Sequence, residues 1–368
     1  MNEDRAARYH RLRRRAAVAS AVAGMAWLAG LQVSGAAAAL AARAAAAGRM
    51  PGILLALLCI GVIALGCELV SLPFVFYRAF LLERKYGLSS EPLSTWLGDH
   101  VKALGLGLAL TTAASLAVFG AIAIAGDAWW IVAAGFFAVA AVLLSRVAPV
   151  LLMPLFYRVK PLERGALRER LLTLSRRAGV PVLGACEWGL GEKTTRANAA
   201  LVGVGGTRRI LVSDTLLKDY SDDEIEVILA HELAHHVHHD IWTALAVETL
   251  VVAAALSAAQ AAATRAGLSP GAGGAAVLGA LPIMLLAGGG VSFLLKPIAN
   301  AWSRHNERRA DRFALTLTGR PAEFITAMRR LGAQNLAEAR PSTPVLWFFH
   351  THPTIDERIA AAKEFRAA

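Results

Sequence analysis

The chain has 368 residues, of which 56% are hydrophobic and only 18% are charged, and its mean hydropathy is positive. Few soluble proteins have this composition, so it favours an integral membrane protein. The net charge of +11 does not indicate a nucleic-acid partner, because the basic residues are spread over the N-terminal arm and the segments between apolar runs. We therefore expect membrane lipids as partners and no nucleic acid.

Six apolar runs are long enough to cross a membrane as helices, and the Ala-rich link 35–48 is an ambiguous seventh. The basic start resembles a signal peptide, but the five later runs favour a retained anchor. The arginines before the first run place the N-terminus in the cytoplasm, and the other Lys- and Arg-rich segments then fall on that same side. The runs are Ala16–Ser34, Ile53–Phe76, Ala103–Ala125, Trp129–Leu155, Ile241–Ala263 and Ala275–Leu295.

Two regions are predicted, divided where the first long polar segment begins. Residues 1–156 form an N-terminal membrane region with four spans, and residues 157–368 hold all the polar motifs described below. The second region comprises a soluble part (157–240), spans 241–263 and 275–295, a Gly-rich outer loop between these spans, and a C-terminal cytoplasmic part (296–368).

The soluble part contains signals for both strands and helices. Two short β-like runs, Ala199–Val204 and Arg209–Val212, are separated by glycines and predict a small sheet. Ser221 with Glu224 three residues later forms a capping box, which predicts the start of a helix.

That helix carries the sequence AHELAHHVHHD, which contains the pattern H-E-x-x-H. His231 and His235 lie four residues apart on one helical face and can hold one zinc ion, while Glu232 is placed to take a proton from water at the ion. The alternative is a polar helix turn with histidines at a membrane boundary. That alternative is the better interpretation of His236, His238 and His239, which fall on other faces, and Asp240 reads as a polar end before the next span.

A catalytic zinc site needs a third protein ligand. A pattern with a third histidine six residues after His235 would place it at Ile241, which cannot bind a metal. The best source is the segment 303–314 after the sixth span, where Glu307 and Asp311 share a helical face and His305 is a rival ligand. From charge spacing alone, a helix salt-bridged by its arginines explains Glu307 equally well.

Several segments occur together in the order seen in a known family. The segments PLERGALRERL, NAALVG, RRILVSDTLL, AHELAHH, SRHNERRADRFA and HTHPTIDERI resemble those of the integral-membrane zinc endopeptidases of the CAAX prenyl protease 1 family. The likeness starts at about Pro51, and the first span is poorly matched. It implies a mainly α, polytopic protein whose six or seven transmembrane helices form a barrel around a chamber, with a cytoplasmic zincin-like α+β domain carrying a small sheet.

The resemblance also implies roles for the motif residues. His231, His235 and Glu307 would bind one zinc ion per chain. Glu232 would act as the general base, and Asp311 would hydrogen-bond a ligand histidine.

Further roles follow from the same resemblance. Asn198 and Ala199 would align the substrate backbone at a strand edge. His352 would face the cleft and stabilise the oxyanion, and Arg358 would support the metal-site helices. Ala200 is a departure, since eukaryotic members usually have an aromatic residue there, so substrate preference is expected to differ.

The expected activity is zinc-dependent hydrolysis of peptide bonds in a bacterial cytoplasmic membrane, with both termini and the active site facing the cytoplasm. The substrate is a peptide or protein, either prenylated at its C-terminus or, alternatively, a membrane protein cleared as by the heat-shock membrane proteases. A metal-handling transporter is the alternative from another class. Glu68, Arg146 and Glu248 fall within spans, where they suit either a chamber wall or ion pairing and snorkelling.

Overall fold

A computed structural model describes residues 4–46, 52–203, 205–268 and 275–365. This part of the chain is mainly helical and contains one four-stranded sheet, which confirms the predicted fold class. The helices are α1 (Arg5–Val33), α2 (Ala36–Ala46), α3 (Gly52–Phe76), α4 (Leu82–Lys85), α5 (Leu93–Ala125), α6 (Trp129–Val147), α7 (Gly165–Arg177), α8 (Asp214–Asp219), α9 (Asp222–Val237), α10 (Asp240–Arg265), α11 (Ala275–Thr318), α12 (Pro321–Gln334), α13 (Thr343–Phe349) and α14 (Ile355–Glu364). The strands are β1 (Val159–Pro161), β2 (Gly184–Trp188), β3 (Ala199–Val202) and β4 (Arg209–Ser213).

Each of the six predicted spans lies mainly on a helix, and the fourth continues beyond the end of α6 through a π-helical turn (Ala148–Leu152) and a 3-10 turn (Met153–Leu155). Within the described residues, five helical stretches are long and apolar enough to cross a membrane. One of them, Leu93–Val147, holds two predicted spans, because α5 and α6 pack against each other across a tight turn at Gly126–Ala128. The ambiguous Ala-rich link contains α2, whose 11 residues rise only about 16 Å. Residues 269–274 of the predicted outer loop lie outside the described residues.

The sheet has the strand order β1-β2-β4-β3, in which β2 and β4 run parallel and the other pairs are antiparallel. The two predicted β-like runs correspond to β3 and β4, and Val204 of the first run lies outside the described residues. Strands β1 and β2 are additions that the apolar pattern does not predict. Strand β3 is at the edge of the sheet, so only one of its sides is paired with a neighbouring strand.

The pairing of β3 determines which of its backbone groups face the free side. Ser213 N–H donates to the Asn198 carbonyl, and Ala200 and Leu211 are opposed in the register. Because backbone groups alternate in direction along a strand, Ala199 and Leu201 direct their N–H and C=O groups to the free edge. This edge is therefore a template on which an extended peptide can pair.

Helix α9 lies at the centre of the soluble part. Its capping box is formed, with Ser221 accepting from Glu224 N–H and the Glu224 carboxylate accepting from Ser221 N–H. Apolar side chains of α9 pack with those of α7, α12 and the sheet in one buried core, which includes Ile225, Leu229 and Leu233. Burial of this helix on several sides fixes the direction of its polar face.

The two membrane connections of the site differ from each other. Helix α9 does not continue directly into the fifth span: it ends at Val237, and His239 adopts a left-handed conformation (φ 57°) before α10 begins at Asp240. Helix α11, in contrast, continues without interruption from the sixth span through Glu307, over 44 residues. A sharp turn on one side and a continuous helix on the other therefore join the site to the membrane.

Candidate metal and active site

Helix α9 presents two histidines on one face. His231 is buried and His235 is half-buried, and their ring centroids are 5.0 Å apart. The spacing of four residues places both rings above the same helical stripe, one turn apart.

Helix α11 brings Glu307 to this pair. Glu307 Oε2 lies 3.2 Å from His231 Nε2, and Glu307 Oε1 lies 3.5 Å from His235 Nε2. A tetrahedral zinc ion with bonds of about 2.0–2.2 Å separates neighbouring ligand atoms by about 3.4 Å. Glu307 Oε2 is buried without a hydrogen-bond partner among the described residues, so it has a free acceptor aimed at the gap. The three side chains fit a metal ion, and their donor atoms all lie within 4.8 Å of one another.

A carboxylate and an arginine hold His231. Its Nδ1 atom lies 2.9 Å from Asp311 Oδ1, and Asp311 accepts two hydrogen bonds from Arg358, at 2.9 and 2.5 Å. Burial lowers the pKa of His231, but the nearby carboxylates of Asp311 and Glu307 outweigh this and raise it to about 9. The pocket therefore attracts positive charge, as a set of cation ligands does.

A second group of the same kind holds His235. Its Nδ1 atom lies 2.8 Å from Asp240 Oδ2, and Asp240 is ion-paired with Arg309. From the sequence, Asp240 is predicted to be only a polar helix end, and this contact was not predicted. The sequence does show an aspartate five residues after His235. In a continuous helix, however, residues five apart do not face each other, so this contact forms only because the helix ends between them.

Glu232 and His352 complete the chemistry at the gap. Glu232 is half-buried, and burial raises its pKa above the ordinary value, opposed by the two neighbouring histidines. His352 Nε2 lies 3.3 Å from Glu307 Oε1, and its side chain is 60% exposed at the mouth of the site. Its other ring nitrogen, Nδ1, lies 2.8 Å from Thr351 Oγ1, a neighbour that sequence reasoning did not single out. These groups line one side of a cavity of about 740 Å³ that also contains His231.

The strand residues predicted to bind substrate line the same cavity. Asn198 is exposed and Ala199 is buried at the start of β3, and both border the cavity that contains Glu232. His236, predicted to belong to a polar helix turn at the membrane boundary, instead hydrogen-bonds the Leu201 carbonyl through Nε2 at 3.2 Å. This bond ties α9 to the free edge of β3.

The remaining polar candidates lie outside this group. His305, the rival ligand, stacks on Trp302 with ring centroids 5.9 Å apart. Of the ionisable residues predicted inside spans, Glu68 hydrogen-bonds His100 at 2.8 Å, whereas Arg146 and Glu248 are exposed on the protein.

The fold and the site together define an integral-membrane metalloprotease, in which a helix with H-E-x-x-H and a carboxylate from a second helix meet at the membrane. Residues 161–366 match the model of peptidase family M48, and residues 2–158 match that of the CAAX prenyl protease N-terminal region, described as five membrane helices. The chain belongs to peptidase family M48. The second match begins at residue 2, so the family likeness includes the first span. From the sequence, the likeness was expected to start only at about Pro51, with the first span poorly matched.

Individual relatives agree with this assignment. The chain is 29% identical over 309 residues to the uncharacterized metalloprotease YhfN of Bacillus subtilis, covering 82% of this chain and 72% of that protein. It is 29% identical over 304 residues to the probable CAAX prenyl protease 1 of Schizosaccharomyces pombe, covering 80% of this chain and 62% of the relative. The crystal structure of S. mikatae Ste24p has the same fold, with a TM-score of 0.77 at 23% identity over 89% of this chain and 80% of that one.

Proposed function

We propose that this metalloprotease holds one zinc ion per chain with His231, His235 and Glu307. The observation that carries the proposal is the convergence of these side chains from α9 and α11 at the separations of 3.2 and 3.5 Å given above. Two histidines and one glutamate form a ligand set that suits catalytic zinc and leaves a fourth position open. When bound, the ion supplies Lewis acidity and lowers the pKa of a water molecule.

Two side chains would move or hold protons in the reaction. Glu232 takes a proton from the attacking water and returns it to the leaving amine, a role that its raised pKa favours. His352 donates a hydrogen bond through Nε2 to the substrate oxygen on which negative charge develops, and Thr351, by donating to Nδ1, keeps the proton on Nε2.

The free edge of β3 would hold the substrate backbone. Ala199 and Leu201 point their backbone groups to this edge, and an extended peptide paired with Ala199 lies along the cavity beside Glu232. His236 already hydrogen-bonds the Leu201 carbonyl, so this acceptor is not free for a peptide. The hydrogen bond therefore limits how far along the strand a peptide can pair.

We propose C-terminal segments of lipid-modified proteins as the substrates. The names of several relatives, among them the probable CAAX prenyl protease 1 of S. pombe, support this class. Clearance of damaged membrane proteins is the alternative, and Ala200, which is small, is compatible with either. Comparing a farnesylated peptide with its unmodified twin separates them: a strong preference for the farnesylated form supports the first class, and equal rates support the second. Membership of a peptidase family argues against the transporter alternative.

We also place the active site on the cytoplasmic face of a bacterial membrane. The Arg-rich start of α1 docks against the site region, where His10 Nε2 lies 2.7 Å from the Leu336 carbonyl and Arg14 is ion-paired with Glu338. Since basic residues before a first span stay in the cytoplasm, the site lies on that side with them.

A single substitution tests the enzymatic proposal. Glu232→Gln removes the general base and keeps the shape of the side chain, so cleavage of a reporter peptide should fall by about 10²–10⁴. The zinc content of the purified variant should equal that of the wild type, since Glu232 is not among the ligands. Glu364→Gln, on the exposed end of α14, is the matched control and should cleave normally. Peptidase activity retained by Glu232→Gln refutes the assignment.

A further inference from the structure

The cavity that contains the catalytic groups also has a basic wall. It is formed by the start of α1, the turn that follows α3 and the segment just before β3. Four arginines line it: Arg13 and Arg14 on α1, Arg78 on a single π-helical turn after α3, and Arg196 just before β3. A π-helical turn within a helix is frequently found at a functional site.

Two of these arginines are neutralised by carboxylates. Arg14 is ion-paired with Glu338, and Arg196 is 2.9 Å from Glu83 Oε2. These pairs leave no net charge on their part of the wall.

The other two have no such partner. Within the described part of the chain, neither Arg13 nor Arg78 has an ion pair or a side-chain hydrogen bond, although both are half-buried, and the Nε atom of Arg78 is buried without an acceptor. A buried donor without a partner costs free energy, and a guanidinium offers its donors in a fork that matches a carboxylate. The cavity wall therefore carries two positive charges that an anion inside the cavity would satisfy.

The direction of β3 relates this wall to the substrate. Arg196, two residues before Asn198, donates to Tyr9 Oη at 2.7 Å, and Tyr9 lies one helical turn before Arg13 on α1. The beginning of β3 is thus anchored to the basic wall. A peptide paired antiparallel to β3 has its C-terminal end at the beginning of that strand.

We propose that Arg13 and Arg78 form a subsite for the α-carboxylate of the substrate, so that the enzyme cleaves a few residues before a free C-terminus. The inference rests on the proposed peptidase function and assigns the determinant of its position specificity. A lipid phosphate shares the same anionic chemistry, and the ends of membrane helices are near lipid headgroups. The cavity location, beside Glu232, favours the substrate carboxylate.

The test compares two fluorogenic peptides of one sequence, one with a free C-terminal carboxylate and one with a C-terminal amide, on the purified full-length protein. The wild type should cleave the carboxylate form with a kcat/KM at least about tenfold higher, mainly through a lower KM, as expected for hydrogen bonds to a charged group. In Arg13→Gln, Arg78→Gln and their double variant this ratio should fall towards one. Arg78→Lys should retain part of the ratio. Because both peptides are measured on one preparation, partial loss of folded protein does not change the ratio.

Exposed Arg15 on the same helix provides the matched control, and Arg15→Gln should keep the wild-type ratio. Equal rates for the two peptides in the wild type, or an unchanged ratio in the double variant, overturn the subsite. Reconstitution in phosphatidylglycerol or in phosphatidylcholine separates the two anion sources. If anionic lipid abolishes the peptide preference, the subsite binds the headgroup instead and the proposal is wrong. Failure of the zinc-loaded wild type to cleave either peptide contradicts the proposed function, which is a separate outcome.

Discussion

At the residue scale, the site consists of two matching groups, each a histidine held by an aspartate that is in turn held by an arginine. Asp311 with Arg358 fixes His231, and Asp240 fixes His235. A carboxylate on the far ring nitrogen fixes the ring orientation and makes the other nitrogen a better metal ligand. The two histidines are therefore preoriented before any ion arrives.

This arrangement makes Asp240 as important for metal binding as Asp311. Asp240→Asn should lower zinc affinity by about 10–100-fold, because a neutral amide orients and polarises His235 less well. Competition with a chelator of known affinity measures the change. Asp356→Asn, an exposed aspartate on α14, is the control and should bind zinc as the wild type does. Wild-type affinity in Asp240→Asn would show that His235 needs no support from this carboxylate.

More of the His231 group than of the His235 group could be predicted from the sequence. The spacing of four residues places His231 and His235 on one face, and Glu307 and Asp311 on another, from helical geometry alone. From the residues, a meeting of the two faces at a metal and a salt-bridged helix explained Glu307 equally well, and the family resemblance decided between them. The contact of Asp240 with His235 was not predicted, because Asp240 belongs to the next helix. Its approach to His235 depends on the left-handed turn at His239.

At the element scale, the turn between α9 and α10 is the joint that brings Asp240 back to the site. Its central residue, His239, has a φ of 57°, a conformation that costs a β-branched residue about 1–2 kcal/mol or more. His239→Val should therefore lower the melting temperature and weaken zinc binding. His239→Gly should be tolerated, because glycine adopts positive φ without strain.

Thermal unfolding of both variants, with zinc affinity measured on the same samples, checks this prediction. His238→Val is the comparison, since His238 has an ordinary helical φ of −83° in the same run. Equal stability of His239→Val and His239→Gly would contradict the account of the turn.

The edge strand gives a second prediction at this scale. Ala199→Pro removes an N–H that faces the free edge, so it should raise the KM for peptides and leave the sheet paired. Ala200→Pro removes an N–H that faces β4, so it should instead lower stability. Peptide cleavage and thermal unfolding of the two variants distinguish these effects. If Ala199→Pro cleaves peptides with a wild-type KM, the substrate does not pair with this strand.

Strands were harder to predict than helices for a physical reason. Strand β1 has three residues, all exposed, and so carries no alternation of apolar and polar positions. Strand β4, with four buried residues in succession, gave a clear signal. A short strand at the rim of a sheet is specified by its partner rather than by its own pattern.

At the scale of the whole molecule, composition and apolar runs were sufficient to predict the membrane helices, because a backbone in lipid must satisfy its hydrogen bonds internally. They were not sufficient to show that α11 is one helix of 44 residues that carries Glu307 out of the membrane to α9. Such convergence depends on packing between helices far apart in the chain.

The orientation of the molecule can be tested by cysteine labelling. In a background without Cys59, Cys67 and Cys186, Asp127→Cys, in the turn between α5 and α6, should react with a membrane-impermeant reagent added to intact cells. Glu364→Cys should react only after the membrane is opened, since the positive-inside rule places it in the cytoplasm. The reverse pattern would put the active site on the outer face.

Zinc X-ray absorption on the purified, zinc-loaded protein, together with its metal content, tests the proposed metal site most directly. We expect one zinc per chain, bound by two imidazole nitrogens and a carboxylate oxygen at about 2.0–2.2 Å, and loss of the carboxylate oxygen in Glu307→Ala. A spectrum of Glu307→Ala identical to that of the wild type, or a wild-type protein that binds no zinc, would contradict it.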